Sequence, residues 1–293
     1  MNQFLKKIFF STFLLFVFLI FFGHFQNYFF RKGSYFKSQW INKVNDQSFD
    51  VIIIGNSRGA LFEFDPEKFK YINLSEDGSG LKTTFTQLYL FYKNNNNTKK
   101  IILEGDIYSL RKIDDSKRSP RWIPYFHDIN IYNTLKNEHQ IFKYYKILPA
   151  IVYSNFKFDW SFISLLNNIF NINKSPWGQY GFMYTCRDYK DEAPKGRDDY
   201  DILEPNWFWI DKIIKLANEN NSTLKIVTTP YYTFEKTTDK KDIFLKEIDK
   251  RNITYIDHSK VFLNQTELFL DNRHLNCKGV KKYFKNYTNL ILK

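Results

Sequence analysis

The most apolar stretch of the chain lies near its N-terminus and predicts a membrane anchor. The segment from Ile8 to Phe25 contains no Asp, Glu, Lys or Arg. As a helix it would span about 27 Å, which is enough to cross a hydrocarbon core. A cleaved signal peptide is the alternative, but large residues follow Gly23-His24-Phe25, where that class needs a small-x-small cleavage site. We therefore expect an uncleaved transmembrane helix over residues 8–25.

Basic residues flank the anchor on both sides, and the nearest of them indicate its orientation. Lys6 and Lys7 directly precede the apolar segment, whereas Arg31 and Lys32 follow at a distance. A signal-anchor with a short basic leader usually keeps that end in the cytoplasm. We expect a cytoplasmic leader over residues 1–7 and a single-pass, membrane-anchored protein whose main domain is periplasmic or extracellular.

After a polar and aromatic linker over residues 26–49, short apolar runs alternate with segments of helical pattern. Five runs predict buried strands at residues 51–54, 71–74, 100–106, 224–229 and 253–256. Helices are predicted over residues 81–93, 205–218 and 239–251 and after Gly279, with a loop at 94–98. The alternation predicts an α/β domain over residues 50–293, with a mostly parallel five-stranded sheet flanked by helices in a three-layer, flavodoxin-like arrangement.

One long segment, residues 111–200, breaks this alternation. It mixes charges of both signs with prolines, glycines and tryptophans, and it shows no regular strand pattern. We interpret it as an insertion into the α/β domain, with helices near 133–146 and 158–170.

Charge and cysteine content limit the class of protein only loosely. The formal net charge of +12 favours an anionic membrane surface or an acidic polymer as partner, and solubility combined with a coding bias is the alternative explanation. No basic run interleaves with aromatics in a nucleic-acid-binding pattern, so we expect no nucleic-acid partner.

Cys186 and Cys277 lack zinc-site spacing and are either free thiols or, in an exported domain, one disulfide. We expect no metal and no cofactor.

Chemically distinctive side chains follow several of the predicted strands. Ser57 follows the first strand, Asp77 and Gly78 the second, and Asp106 the third, while the Asp271/His274 pair lies beyond the fifth. Ligands of open parallel sheets bind at the carboxyl ends of the strands. This convergence predicts a functional site at that edge of the sheet.

Three of these residues can form a nucleophilic site. A serine hydroxyl such as that of Ser57 needs a base, here His274, and a group that orients the base, here Asp271. The alternatives are structural: Ser57 can cap a helix, and Asp271 with His274 can begin one. Asp257-His258 is a weaker candidate for the same pair.

The turn around the serine, Gly55-Asn56-Ser57-Arg58-Gly59, also fits the G-x-S-x-G nucleophile elbow of α/β-hydrolases. That elbow follows a central strand with several strands before it. Here the serine follows the first strand of the domain, so we reject this interpretation.

Five motifs of this sequence form a recognisable set: GNSR at 55–58, Phe64-Asp65-Pro66, YINLSEDGSG at 71–80, IVTTP at 226–230 and DNRHLNCKG at 271–279. Taken together, they resemble the SGNH (GDSL-like) hydrolase superfamily, and more closely a membrane-anchored branch related to alginate-acetylation and D-alanyl-teichoic-acid transfer proteins. The resemblance covers residues 50–110 and 200–293 and leaves 111–200 uncovered.

The resemblance implies a role for each matching residue. Ser57 would attack an acyl carbonyl, His274 would act as general base, and Asp271 would orient the imidazole. The backbone N–H groups of Ser57 and Gly78 would stabilise the oxyanion. The superfamily supplies an Asn as third donor, but this sequence has Asp106 there, and an ionised carboxylate cannot donate a hydrogen bond.

Candidates for substrate binding are less specific. Arg58 would bind an acidic substrate group or pair with a local carboxylate. Trp177, Tyr180 and Tyr184 would form a stacking platform for sugar rings, although aromatic residues are abundant throughout this chain.

The resemblance implies a membrane-anchored O-acyltransferase or esterase that acts on a cell-envelope or surface polysaccharide, with acetyl as the simplest acyl group. A multi-span acyl-donor protein is an expected partner by analogy. Two alternatives stay open. One is an SGNH-like scaffold that binds glycan or organises an assembly complex, which the missing Asn motivates; the other is an anchored lipase or thioesterase.

Overall fold

The computed structural model describes residues 2–33, 36–107, 109–110, 119–146, 205–232 and 238–293, together with residues 170 and 181. The chain divides into two compact units, one formed by residues 1–40 with 115–175 and the other by residues 41–114 with 176–293. The helix predicted at 158–170 lies outside the described residues except for its last position.

The first unit begins with a long apolar helix. Helix α1 (Asn2–Lys32) is continuous through the predicted leader and the first part of the predicted linker at 26–49, so the linker is shorter than expected. The helix is long and apolar enough to cross a membrane, and little of its apolar window is buried against protein. Near its end, the buried Gln39 side chain donates a 2.6 Å hydrogen bond to the Phe30 carbonyl oxygen, satisfying one of the carbonyls that a helix end leaves open.

Residues 119–146 of the insertion also belong to this unit. They contain a 3-10 helix (Ser119–Tyr125), helix α4 (Ile129–Leu135) and a second 3-10 helix (Gln140–Tyr144). The predicted helix at 133–146 is wrong. The Asp128 side chain accepts hydrogen bonds from two backbone N–H groups and starts the helix four residues earlier, and the extended backbone of His139 interrupts it.

The second unit contains the predicted α/β domain, whose sheet consists of five parallel strands. They are β1 (Ser48–Ile54), β2 (Tyr71–Asn73), β3 (Asn97–Glu104), β4 (Thr223–Thr228) and β5 (Thr254–Asp257), in the spatial order β2-β1-β3-β4-β5. The fold prediction is confirmed. Strand β3 starts inside the predicted loop at 94–98 because Asn97 and Thr98 pair with the start of β1.

Helices flank this sheet. They are α3 (Leu81–Lys93), α5 (Trp207–Glu219), α6 (Thr238–Lys250) and α7 (Cys277–Leu292). The short helix α2 (Lys37–Ile41) crosses the sequence position at which the first unit ends. Successive residues of the central strands, such as Ile52 and Ile53 of β1, are fully buried although they point to opposite faces, so both faces are covered. Val51 and Ile53 share one core cluster with Tyr283 of α7.

Candidate active site

The loop after β1 places Ser57 at the carboxyl edge of the sheet. Gly55 adopts a φ of +144°, and a Cβ added there would lie 2.9 Å from the Glu104 carbonyl oxygen. The Asn56 side chain accepts a 3.0 Å hydrogen bond from the Arg58 backbone N–H, which closes a tight turn around the serine. Glycine therefore lets the chain leave the sheet beside β3, and Asn56 fixes the turn that presents Ser57.

A buried side chain on β2, Asn73, ties this turn to the next loop. Its amide donates a 2.8 Å hydrogen bond to the Gly59 carbonyl oxygen, and its carbonyl accepts a 2.9 Å bond from the Ser75 backbone N–H. The Glu76 backbone N–H also donates to the Gly55 carbonyl oxygen. Sequence reasoning missed Asn73, although a polar residue that ends a short apolar strand was an available signal.

A second loop, close to the C-terminus, presents Asp271 and His274. Phe269 and Leu275 form an isolated antiparallel bridge at the base of this loop. One Asp271 oxygen accepts 2.8 Å hydrogen bonds from the backbone N–H groups of Arg273 and His274. The aspartate is therefore held by its own turn before it contacts the imidazole.

The residues after His274 fix the loop to helix α7. The Asn276 side chain caps the helix by accepting a 2.9 Å bond from the Gly279 backbone N–H, and it donates to the Glu267 carbonyl oxygen at 2.9 Å. A Cβ added at Gly279 would lie 2.1 Å from the Leu268 carbonyl oxygen. The Asn and Gly of the H-L-N-x-x-G motif are thus required by packing.

The structure brings Ser57, His274 and Asp271 together. Ser57 Oγ lies 2.8 Å from His274 Nε2, across 217 positions of sequence. On the other side of the ring, His274 Nδ1 lies 2.8 Å from one Asp271 oxygen and 3.0 Å from the other. An aspartate at Nδ1 favours the tautomer whose Nε2 is free to accept a proton from the serine.

The Asp271 carboxylate is stabilised in its charged form. Desolvation raises its pKa, but the His274 ring and the two backbone N–H groups outweigh this effect and lower the pKa to about 2. This contribution to stability is present above the ordinary pKa of 3.8 and is lost as the pH falls towards 2. The side chain is 52 % exposed, so solvent screening limits the contribution to about 1 kcal/mol or less.

Two backbone donors predicted for an oxyanion hole lie at the same edge of the sheet. Gly78 has a φ of +66° in the loop after β2, a conformation that favours glycine. Among the described residues, the backbone N–H groups of Ser57 and Gly78 have no protein acceptor. Both N–H groups are therefore available to a ligand.

The side chain of Asp106 is directed to other partners. One of its oxygens lies 3.2 Å from Arg58 Nη2 and also accepts a hydrogen bond from the Tyr231 hydroxyl. The other accepts a 2.8 Å bond from the Ser109 backbone N–H. A carboxylate surrounded by donors is an acceptor, so these contacts do not support Asp106 as the third oxyanion donor.

Arg58 likewise does not reach out to substrate. It is 6 % exposed, and its Nη2 lies 2.7 Å from a Glu104 oxygen that also accepts a 3.0 Å bond from the Thr229 hydroxyl. Its guanidinium carbon lies 4.5 Å from the centre of the Tyr231 ring. We call the set of Arg58, Glu104, Asp106, Thr229 and Tyr231 the arginine cluster. It joins the Ser57 turn to the ends of β3 and β4, and Arg58 pairs with local carboxylates.

The two carboxylates of the arginine cluster have opposite pKa shifts. Burial raises the pKa of Glu104 despite the nearby Arg58. Burial also raises that of Asp106, but Arg58, Tyr231 and Ser109 outweigh this effect and lower its pKa. The physical difference is the number of donors around each group. Asp106 is therefore the more readily ionised of the two carboxylates that contact Arg58.

Other sequence candidates are placed as follows. His258 Nδ1 bonds the Tyr283 hydroxyl at 2.8 Å, while the Asp257 side chain bonds Lys241 and the Ser259 backbone N–H, so these neighbours do not form a pair with each other. Trp177, Tyr180 and Tyr184 lie outside the described residues. Within the described part of the chain, no group of three or more His, Cys, Asp or Glu side chains could hold a metal ion.

Cys277, the first residue of α7, is disulfide-bonded. The other cysteine of the sequence, Cys186, lies outside the described residues. Of the two alternatives left open by the sequence, the structure has the disulfide. The bond is located three residues after His274.

No protein-family model matches the chain, and no curated protein is significantly similar to it. Membership of the SGNH superfamily therefore stays a prediction from the sequence motifs.

We expect Gly279→Ala to destabilise the protein, although alanine favours helices by about 1 kcal/mol over glycine. The added methyl would lie 2.1 Å from the backbone oxygen of Leu268, which cannot rotate away. We expect a net loss of about 1–3 kcal/mol in the free energy of unfolding, measured by denaturant titration of the full chain. The exposed control Asn286→Ala on the same helix should change stability by less than about 0.5 kcal/mol. Equal stability of Gly279→Ala and wild type would contradict this packing.

The buried His258 makes stability depend on pH. Burial lowers its pKa below the ordinary 6.5, so the unfolded chain takes up a proton that the folded protein resists. This contribution is complete above the ordinary pKa and falls as the pH drops below it. We expect the melting temperature to fall from neutral to mildly acidic pH, and to fall by at least about 3 °C less in His258→Gln. The exposed control His127→Gln should follow wild type. An equally steep fall in His258→Gln would refute the assignment.

Proposed function

We propose that this protein is a membrane-anchored serine O-acyltransferase or esterase of the SGNH type, acting on a cell-envelope or surface polysaccharide. The observation that carries the proposal is the chain of contacts from Ser57 Oγ to His274 Nε2 at 2.8 Å, and from His274 Nδ1 to Asp271 at 2.8 Å. This is the arrangement that activates a serine hydroxyl in acyl transfer.

The geometry supports a two-step reaction. Ser57 Oγ attacks the acyl carbonyl while its proton passes to His274 Nε2, and Asp271 stabilises the resulting imidazolium. The free backbone N–H groups of Ser57 and Gly78 are suited to stabilise the tetrahedral oxyanion. The imidazolium then protonates the leaving oxygen, which leaves an acyl group on Ser57. In the second step, a sugar hydroxyl or water passes its proton to His274 Nε2 and attacks this ester. The acyl–Oγ bond then breaks, and the imidazolium returns the proton to Ser57 Oγ.

Location and substrate class rest on further features. Helix α1 is suited to tether the domain to a membrane, and the disulfide at Cys277 is typical of an oxidising compartment outside the cytoplasm. Lys6 and Lys7 favour a cytoplasmic N-terminus. Tethering suits a polymeric substrate at the cell surface, acetyl is the simplest acyl group, and a multi-span membrane protein is a fitting acyl donor.

One observation favours a second candidate, a catalytically impaired SGNH-like protein that binds glycan or organises an assembly. Asp106 stands where the superfamily supplies a donating Asn, and its carboxylate accepts hydrogen bonds from Tyr231 and Ser109. A site with two oxyanion donors instead of three stabilises the transition state less.

The test uses the purified full chain in detergent with para-nitrophenyl acetate, with and without an oligosaccharide acceptor. Release of nitrophenol together with an acetylated acceptor, found by mass spectrometry, supports the transferase, and release without acceptor acetylation supports the esterase. Both activities should disappear in Ser57→Ala and persist in the exposed control Ser48→Ala. No release by wild type would overturn the enzyme proposal in favour of the binding protein, and preference for long acyl chains would indicate a lipase or thioesterase.

A further inference from the structure

The helix that begins directly after the His274 loop carries an unbalanced positive charge. Helix α7 contains four lysines and no acidic residue. Lys278, Lys281, Lys282 and Lys285 are all exposed, and their spacing of three, four and seven residues places them along one side of the helix. We call this set the lysine stripe. At 1.5 Å per residue it extends about 10 Å from Lys278 to Lys285.

The lysine stripe works against the stability of its own helix. Like charges three or four residues apart repel each other, and the stripe occupies the N-terminal half of the helix, where the helix dipole disfavours cations. Lys282 is hydrogen-bonded to Gln265 at 2.9 Å. Within the described part of the chain, Lys278, Lys281 and Lys285 have no ion-pair partner. These charges are therefore available to a partner of opposite sign.

A groove of about 460 Å³ lies beside the stripe and is lined by Lys281 and Lys285. Its apolar walls include Phe64, Phe69 and Phe284, and its opposite rim contains the Phe64-Asp65-Pro66 motif. Two acidic side chains, Asp65 and Glu63, also line the groove. Asp65 forms an ion pair with Lys68 of the same rim at 3.2 Å. The groove thus adds a concave apolar surface to the cationic side of the helix.

We infer that the lysine stripe and this groove bind a polysaccharide chain that carries carboxylate or phosphate groups, and that they hold the polymer whose unit is modified at Ser57. This inference rests on the proposed function. Helix α7 starts three residues after His274, so the stripe begins close in sequence to the imidazole that contacts Ser57, and neighbouring units of one polymer chain would follow the helix from there. Each anionic unit would meet a lysine that has no other charged partner.

A polymer fits this surface better than an anionic bilayer does. Helices that lie on membranes expose a broad apolar face beside their basic residues. Helix α7, which the structure describes throughout, exposes a single large apolar side chain, Leu290, which is 52 % exposed. The adjoining surface is a groove, which accommodates a chain, whereas a bilayer requires a flat or protruding surface.

The test measures binding of the full chain, reconstituted in zwitterionic nanodiscs, to labelled oligogalacturonate and to neutral dextran. Wild type should bind oligogalacturonate at low salt, lose this binding at high salt, and bind dextran weakly or not at all. The triple variant K278Q/K281Q/K285Q should bind oligogalacturonate at least about tenfold more weakly. The control K215Q/K246Q/K250Q removes the same charge from exposed lysines of α5 and α6 and should change affinity less than about twofold.

Several outcomes would overturn the inference: no binding by wild type, unchanged binding by the stripe variant, or an equal loss in the control, which would indicate a net-charge effect. Anionic vesicles serve as the competing partner. Loss of vesicle binding in the stripe variant with oligogalacturonate binding intact would point to a bilayer and also overturn it.

The proposed function and the stripe inference can fail separately. Hydrolysis of para-nitrophenyl acetate by wild type tests the enzyme proposal, and binding of oligogalacturonate by wild type and by the stripe variant tests the inference. If wild type hydrolyses no ester but the stripe variant loses polymer binding, the enzyme proposal falls and the binding surface stands.

Discussion

Replacement of His274 by Gln should reduce turnover of para-nitrophenyl acetate by about 10⁴- to 10⁶-fold, because Ser57 loses the only base within hydrogen-bond distance of its Oγ among the described residues. A glutamine amide can accept a hydrogen bond from the serine but cannot take up its proton. The decrease should appear in kcat, with a much smaller change in KM, since in the proposed mechanism the imidazole acts mainly in the transition state. Steady-state kinetics at neutral pH measure both constants.

The double variant Ser57→Ala/His274→Gln is the control for this prediction. Residues that act as a unit have strongly non-additive effects, so the double variant should be about as active as either single variant. Multiplicative losses would mean that the serine and the imidazole act separately. A His274→Gln protein that keeps more than about a tenth of wild-type kcat would rule out the imidazole as general base.

Replacement of Arg58 by Met should lower the free energy of unfolding by about 3–5 kcal/mol, because it leaves buried carboxylates without their cation. Arg58 Nη2 lies 2.7 Å from Glu104 and 3.2 Å from Asp106, and all three side chains are almost fully buried. Methionine fills a similar volume, so the loss reports mainly the charge. Denaturant titration of the full chain in detergent gives the value.

A neutral version of the same cluster separates charge from packing. In Arg58→Met/Glu104→Gln/Asp106→Asn no buried charge is left unpaired, so most of the lost stability should return. A loss as large as that of the single variant would attribute the effect to the shape of the arginine side chain. An Arg58→Met protein within about 1 kcal/mol of wild type would contradict the buried ion pairs.

The regular part of the fold could be predicted because its signals are local. Each strand is an apolar run, and each predicted core helix has its own period. The observed ends of some elements differ from the predicted ends because contacts distant in sequence determine them. Strand β3 includes Asn97 because its backbone N–H donates to the Gln47 carbonyl oxygen, and α7 starts at Cys277 because Asn276 caps it. The helix predicted at 133–146 was wrong because the observed helix begins after its cap, Asp128, which precedes the segment on which the prediction was based.

The candidate site was predictable to the extent that parallel strands share one edge. That rule, together with the chemistry of a serine, a base and an acid and the SGNH resemblance of the motifs at 55–58 and 271–279, predicted that Ser57 and His274 meet. The arginine cluster was not predictable, because Glu104, Thr229 and Tyr231 come from the exits of β3 and β4 and meet Arg58 only in the folded sheet. The disulfide at Cys277 could not be decided either, since the choice depends on the compartment.

The 217 positions that separate Ser57 from its imidazole have a consequence for biosynthesis. Asp271 and His274 are translated long after Ser57, so a nascent chain that contains only the serine has no partner for it. A serine hydroxyl without a base is a poor nucleophile. Under the proposed function, a nascent chain would therefore stay inert towards acyl donors until helix α7 docks and brings His274 to Ser57.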